Sequence, residues 1–247
     1  MGAVIDRMAV IDRMSELIVS CEHATNRVPR KYRRLFAGRD RLLASHRAYD
    51  PGTLELGRLI ARTHGAALIV APCTRLLVDS NRSLGHPRLF SELSAPLSAA
   101  DREDVIGRYY APHRQAVEDA VRRALIGGRT AVHLGVHSFV PVLRGRTRRA
   151  DVGLLYDPAR PGEARFCVAW QRAIESMQPG WRVRRNYPYR GRADGLTTHL
   201  RRHTRTTRYL GIELEINQKF PCGDRRRWTE VQRVLLGSLS SVLDSWS

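Results

Sequence analysis

The chain has 247 residues, 43% of them hydrophobic, and a formal net charge of +18. That is long enough to bury a sizeable core, and no run approaches the roughly 18 apolar residues that a membrane span needs. Cys21, Cys73, Cys167 and Cys222 are widely spaced with no C-x-x-C pair, which argues against a disulfide framework or a cysteine-rich zinc site.

No long apolar stretch ending in small residues opens the chain, so a cytoplasmic protein with reduced thiols is expected. Every basic residue except Lys31 and Lys219 is an arginine, and the arginines are scattered in short clusters such as Arg144 to Arg149 and Arg225 to Arg227. Aromatic residues do not interleave with them as a base-stacking platform requires. Salt-sensitive adhesion to polyanions is expected, without a specific nucleic-acid partner.

The first residues carry a tandem duplication, Ala3 to Met8 repeated as Ala9 to Met14, and 1–14 is expected to be a disordered or frayed extension. From there strand-like runs alternate with helical stretches. The β-branched run at 16–21 leads into Cys21-Glu22-His23. Pro51 stands where a first-turn proline belongs, and Leu54, Leu56, Leu59 and Ile60 follow with helical spacing over 52–64. Strands are predicted at 67–72 and 75–79, the second running into Ser80-Asn81-Arg82. Ser98 with Asp101 resembles a capping box for a helix over 100–126, which Gly127-Gly128 stops. A strand at 131–136 delivers His137 and Ser138. Strands at 151–156 and 181–185, helices at 162–177 and 192–203, a strand at 209–216 carrying Glu213 and Glu215, and a helix at 228–245 complete the pattern. Such alternation, with no Gly/Ser-rich linker, predicts one α/β domain over 15–247 built on a mixed, mostly parallel sheet.

Chemistry-bearing residues thus sit at the ends of four apolar runs. Carboxyl ends of parallel strands converge on one crevice, where ligands bind. His23 and His137, brought within about 5 Å of one another, would suit a divalent metal with an open coordination position, zinc above all. His133 lies four before His137, but Leu134 stands where H-E-x-x-H needs its glutamate, so His133 is read as structural. Glu213 and Glu215, two apart on a strand, project to one face. A carboxylate there could take a proton from water and return it to a leaving nitrogen. Neither a dinucleotide fingerprint, a P-loop nor a G-x-S-x-G elbow is present.

Seven segments, in order over nearly the whole chain after the extension, resemble those of the N-formylglutamate amidohydrolase family. They are S-C-E-H-A-T-N-R-V-P (Ser20 to Pro29), H-R-A-Y-D-P-G (His46 to Gly52), T-R-L-L-V-D-S-N-R (Thr74 to Arg82), G-V-H-S-F-V-P (Gly135 to Pro141), G-L-L-Y-D (Gly153 to Asp157), N-Y-P-Y (Asn186 to Tyr189) and G-I-E-L-E-I-N-Q (Gly211 to Gln218). That family in turn resembles zinc-dependent carboxypeptidases and aspartoacylases. The resemblance implies a three-layer α/β sandwich of zinc-exopeptidase type. It also implies metal-dependent hydrolysis of an N-formyl or other N-acyl amino acid, giving formate and the free amino acid when the substrate is N-formylglutamate.

By the same resemblance His23 and His137 take the two histidine ligand positions. The residue three after His23 is Asn26 rather than glutamate, so the third ligand is expected to be Glu22, with Asp50 as the second substitute. Arg75 would polarise the scissile carbonyl, and Asn81 with Arg82 would hold the substrate's α-carboxylate. Ser138 and Tyr187 are expected against the substrate. Of the two late glutamates, Glu215 is expected to be the base. The same fold acting on another N-acyl amino acid, a small peptide or a cyclic imide remains open, as does a polyanion-binding protein with a degenerate site.

Overall fold

A computed structural model of the chain describes residues 14–246, so the expected N-terminal extension lies outside the described residues except for Met14. Eight strands are present among the described residues: β1 Ser15–Cys21, β2 Ala67–Val70, β3 Thr130–Phe139, β4 Val142–Leu143, β5 Arg146–Thr147, β6 Val152–Leu155, β7 Val183–Arg185 and β8 Tyr209–Asn217. Six form one sheet in the order β2-β1-β3-β8-β6-β7, while β4 and β5 make a small antiparallel ribbon. Neighbours in the large sheet are parallel except β8 and β6. The carboxyl ends of β1, β2, β3 and β8 therefore share one edge.

The helices are α1 Asp40–Leu43, α2 Thr53–His64, α3 Ala99–Val105, α4 Ala111–Ile126, α5 Pro161–Met177, α6 Leu196–Thr204 and α7 Arg225–Asp244. They cover both sheet faces, as the mixed α/β sandwich requires. Strand alternation sorts the residues. Val132, Leu134 and Val136 of β3 face the core formed with α2, α5 and α7, where Leu56, Ile60, Trp170, Trp228 and Leu235 are buried. The opposite face begins with Ile18, Ala131 and Tyr209 under α4 and α6. Toward the carboxyl edge that second face turns polar, through His133, Gly135 and His137 on β3 and Glu213 and Glu215 on β8. One pleat thus builds a dry core and a reactive surface from the same strands.

Most elements match the expected spans, and the departures have physical causes. The predicted helix over 100–126 is one run in which a π-helical turn, Ile106–Tyr110, joins α3 to α4. Ser98 accepts from the Asp101 amide at 3.1 Å, as the capping pattern foretold. The predicted strand at 75–79 is instead a chain of turns, with Leu77 N bonded to Thr74 O, Asp79 N to Leu89 O and Arg82 N to Asp79 O. Its apolar residues Leu76, Leu77 and Val78 are buried, but in a separate cluster with Tyr32, Phe36, Leu89 and Tyr110. Burial alone does not separate a strand from a packed loop. The expected helix over 192–203 begins only at Leu196, and the β4–β5 ribbon was not anticipated. No described helix is long and apolar enough to cross a membrane.

Candidate active site

His23 leaves the end of β1 and His137 stands near the end of β3, next to one another at the shared edge. Their ring centroids are 5.1 Å apart, at the limit of the expected approach, with an interplanar angle of 61°. Asp50, in the loop that opens α2, completes the group. Its Oδ2 lies 3.4 Å from Nδ1 of His23 and 3.3 Å from Nδ1 of His137. One donor atom from each of these three buried residues falls within 4.8 Å of the others.

The outer nitrogens are held by two further carboxylates. Nε2 of His23 is 2.7 Å from Oδ1 of Asp79, and Nε2 of His137 is 3.1 Å from Oε2 of Glu22. An ionised carboxylate only accepts hydrogen bonds, so the proton of a neutral His23 belongs on Nε2, at its short contact with Asp79. Its Nδ1 then turns a lone pair toward Asp50, which is likewise acceptor-only, and that nitrogen has no hydrogen-bond partner among the described residues. His137 is hydrogen-bonded to Asp50 through Nδ1 at 3.3 Å, while its Nε2 faces Glu22 without forming a hydrogen bond. A lone pair and an anion facing one another need a cation between them or an extra proton on a ring. Carboxylates that orient the far nitrogen of a ligating histidine are the usual support of a metal site.

Charge is consistent with this. Glu22, Asp50, Asp79 and Glu215 are all buried beside the two guanidiniums of Arg75 and Arg82. Burial works against ionising Asp50 and Asp79, yet both are held well below the usual carboxylate range, Asp50 by His23, His137 and Arg75, Asp79 by Arg75 and His23. Burial likewise opposes the charge on His137, which Asp50 and Glu22 nonetheless raise well above its ordinary value. A divalent cation could replace the protons that otherwise balance these carboxylates, and the donor set suits one.

The donor atoms that converge belong to His23, Asp50 and His137. Asp50, expected as the second substitute, meets Nδ1 of both rings, whereas Glu22, expected as the third ligand, lies at the Nε2 side of the His137 ring. Asn26, the other candidate, turns away and donates to Leu43 O at 3.0 Å. Ser138 anchors Asp50: its amide donates to Oδ2 at 3.3 Å and its hydroxyl to Pro51 O at 2.9 Å, while Gln218 Nε2 donates to that hydroxyl at 3.1 Å. Its hydroxyl is thus engaged within the protein on both sides.

Glu215 pairs in register with His137 across β3 and β8, and with Gly153 across β8 and β6. Only 4% of it is exposed and its Oε2 has no hydrogen-bond partner among the described residues. Burial pushes its carboxyl up to about 8; His137 and Arg75 oppose the rise and Asp50 and Glu213 reinforce it. Gly153 makes room: a Cβ there would stand 3.1 Å from that of Glu215 and collide with the Tyr187 carbonyl oxygen. A glycine inside a strand pattern was the available signal of this close approach. Glu213, by contrast, is partly exposed and accepts from Thr197 Oγ1 at 3.0 Å.

Arg75 reaches the cluster from the turn segment. Its Nη1 lies 3.4 Å from Asp50 Oδ1 and its Nη2 3.1 Å from Asp79 Oδ2. Burial works against its charge, but Asp79 and Asp50 hold its proton more firmly than usual. Asn81 and Arg82 follow on the same turns. Asn81 Oδ1 accepts from the Leu196 amide at 2.7 Å and Arg82 Nη1 donates to Asp194 O at 3.0 Å, tying the segment to the start of α6. Asn81 retains Nδ2 for other partners. Tyr187 is half-buried, its ring edge-on to Phe139 at 6.4 Å on the face that carries His137. His133 is internal, as expected, bonded to Ser20 Oγ at 2.8 Å and Tyr209 OH at 2.9 Å. The role of Asp79 was missed, although the D-x-N-R segment contained it.

A family model described as N-formylglutamate amidohydrolase matches residues 15–220. Among solved structures, the chain is similar to a gene product of Agrobacterium tumefaciens, with 28% identity and a TM-score of 0.79 over 94% of this chain and 92% of that one. It is also similar in fold to N-formylglutamate amidohydrolase from Ralstonia eutropha JMP134, with 20% identity and a TM-score of 0.71 over 94% and 93% of the two chains. No curated protein matches it.

Proposed function

The chain belongs to the N-formylglutamate amidohydrolase family and is an amidohydrolase, and from that premise we propose that it hydrolyses N-formyl amino acids, N-formylglutamate first, with a divalent metal held by His23, His137 and Asp50. The observation that carries this reading is the meeting of two histidine nitrogens and a carboxylate oxygen within 4.8 Å in a buried site. Zinc suits the N,N,O donor set. When bound, the ion supplies Lewis acidity toward the acyl oxygen and makes water more acidic.

The remaining work falls to the chain. Asp79 and Glu22 face the outer nitrogens of the two imidazoles and would support the tautomer that presents Nδ1 to the ion. Glu215, dry and facing the same space as His137, takes a proton from the attacking water at a carboxylate oxygen and delivers it to the departing amide nitrogen. Arg75, kept charged by Asp50 and Asp79, stabilises the negative charge that builds on the acyl oxygen. Arg82 and the free Nδ2 of Asn81 receive the α-carboxylate, and Tyr187 borders the acyl amino acid.

The test joins metal analysis of the purified protein to formate release from N-formylglutamate. Stoichiometric metal, activity lost to chelator and restored by zinc, and an inactive His137→Ala variant support the reading. Formate release indifferent to chelation and to that substitution would refute it.

A further inference from the structure

On the Nε2 side of His137, α4 closes over the polar part of the sheet face, and the side chains it encloses there are short of partners. Glu22 is 2% exposed and His113, in the first turn of α4, 4%. Among the described residues neither carboxylate oxygen of Glu22 and neither ring nitrogen of His113 has a hydrogen-bond partner. Arg114, next in the helix, donates from Nη1 to Ser80 O at 3.3 Å and to Arg82 O at 3.2 Å, while its buried Nη2 is also unpartnered. Those two bonds pin α4 to the segment that carries Asp79. Buried polar atoms left unpaired are costly, so protein interiors satisfy them with one another or with buried water.

The sheet places the two residues. Burial pushes the proton affinity of His113 below its ordinary value; Glu22 opposes the drop, Arg114 and His23 add to it, and the Ile69 backbone opposes it again. The ring thus stands by Ile69, which pairs in register with Ser20. Glu22 follows Ser20 by two residues, about 6.6 Å along an extended chain. No hydrogen bond or ion pair joins Glu22 to His113, but one water bridges heavy atoms up to about 5.5 Å apart. Room exists on this face because β3 carries Gly135 there. A Cβ at Gly135 would lie 3.5 Å from Nε2 of His137 and 3.7 Å from Oε2 of Glu22. Donors and acceptors also match: the N–H of a neutral imidazole gives to the water, and the water gives to the carboxylate.

We propose that His113 is a positioning residue for this site, joined to Glu22 by a buried water that fixes the carboxylate against Nε2 of His137. This rests on the metal-dependent reading given above, in which His137 presents Nδ1 to the ion. Oε2 of Glu22 lies 3.1 Å from that Nε2, and a carboxylate so placed orients the imidazole and makes it a better donor to a cation. His137 alone restrains Glu22 on one side; the water and His113 restrain it on the other. His113 touches neither ion nor substrate and acts only through Glu22.

The experiment measures zinc affinity by competition with a chromophoric chelator in the wild type, His113→Phe, Glu22→Gln and the double variant. His113→Phe keeps an aromatic ring and removes both nitrogens, and is expected to weaken zinc binding about 10-fold. In the Glu22→Gln background the same change is expected to do almost nothing, because the group it acts through is already altered. His113→Gln keeps a hydrogen-bonding side chain and is expected to recover part of the affinity; its own cycle with Glu22→Gln serves if the phenylalanine variant does not fold. Equal losses in both backgrounds, or none in either, overturn the proposal and leave the metal reading standing. A wild type that binds no zinc overturns both. In a crystal of the zinc-loaded protein a water within hydrogen-bond distance of both Glu22 and His113 is expected, and a direct contact between the two would equally refute the assignment.

Discussion

His137 and Glu215 are register partners across the parallel β3–β8 pair. One strand pairing thus sets a metal-type imidazole beside a buried acid whose proton affinity is raised, with no loop between them. Glu215→Gln preserves shape and removes only the ability to accept a proton. Formate release is expected to fall by about 10²- to 10⁴-fold while metal content stays that of the wild type. A variant that keeps its rate would deny Glu215 the role of base.

Asp50 and Glu22 both touch His137, on opposite nitrogens, and their variants should separate ligand from support. Asp50→Asn is expected to abolish stable metal retention in a chelator titration. Glu22→Gln is expected to retain the metal with about 10- to 100-fold weaker affinity. Equal losses in the two variants would contradict the assignment of Asp50 to the inner position.

Gly153 lets β6 lie beside Glu215 of β8 and against the backbone of Tyr187. Gly153→Ala puts a methyl group where the Tyr187 carbonyl oxygen already stands. A loss of at least about 1–3 kcal/mol is expected from overpacking, read as a lower midpoint in urea unfolding. Unchanged stability would mean that the β6–Tyr187 contact is looser than drawn.

The raised proton affinity of Glu215 has a consequence for stability. An ordinary glutamate ionises near 4.5, whereas this one holds its proton to about 8. Between those values the unfolded chain has lost the proton that the fold retains, so the contribution of Glu215 to stability falls as pH rises through the window. In chelator-treated protein, wild-type stability relative to Glu215→Gln is expected to decline by a few kcal/mol, as an order of magnitude, from about pH 4.5 to about pH 8. Added zinc should shrink the decline, because a nearby cation favours the ionised form. A difference that does not vary with pH would contradict the burial of this carboxyl as the cause.

Much of the fold was legible because its strands alternate. The run from Thr130 to Phe139 puts valine and leucine on one side and histidine on the other, and that period survives in the structure as core and site. The segment Thr74 to Arg82 misled for a related reason: three consecutive apolar residues resemble a strand whenever something buries them, and here a minor cluster among loops does so. His23 and His137 could be placed on one edge from their positions at run ends, whereas Glu215 was preferred over Glu213 only by the family resemblance. Asp50 could not be preferred over Glu22, since both are acidic and near a histidine in the chain, and only the direction of approach distinguishes them.

The amino-acid order by itself determined the α/β class, the strands that bring His23, His137 and Glu215 to one edge, and the residue types able to hold a cation. These follow from local periodicity and from the rule that parallel strands share a carboxyl edge. The tertiary structure alone decided which nitrogen of each ring faces inward and which carboxylate meets it. Such choices depend on ångström-scale placement between segments far apart in the chain, where hydrogen-bond direction and the exclusion of water, rather than spacing along the backbone, set the energy.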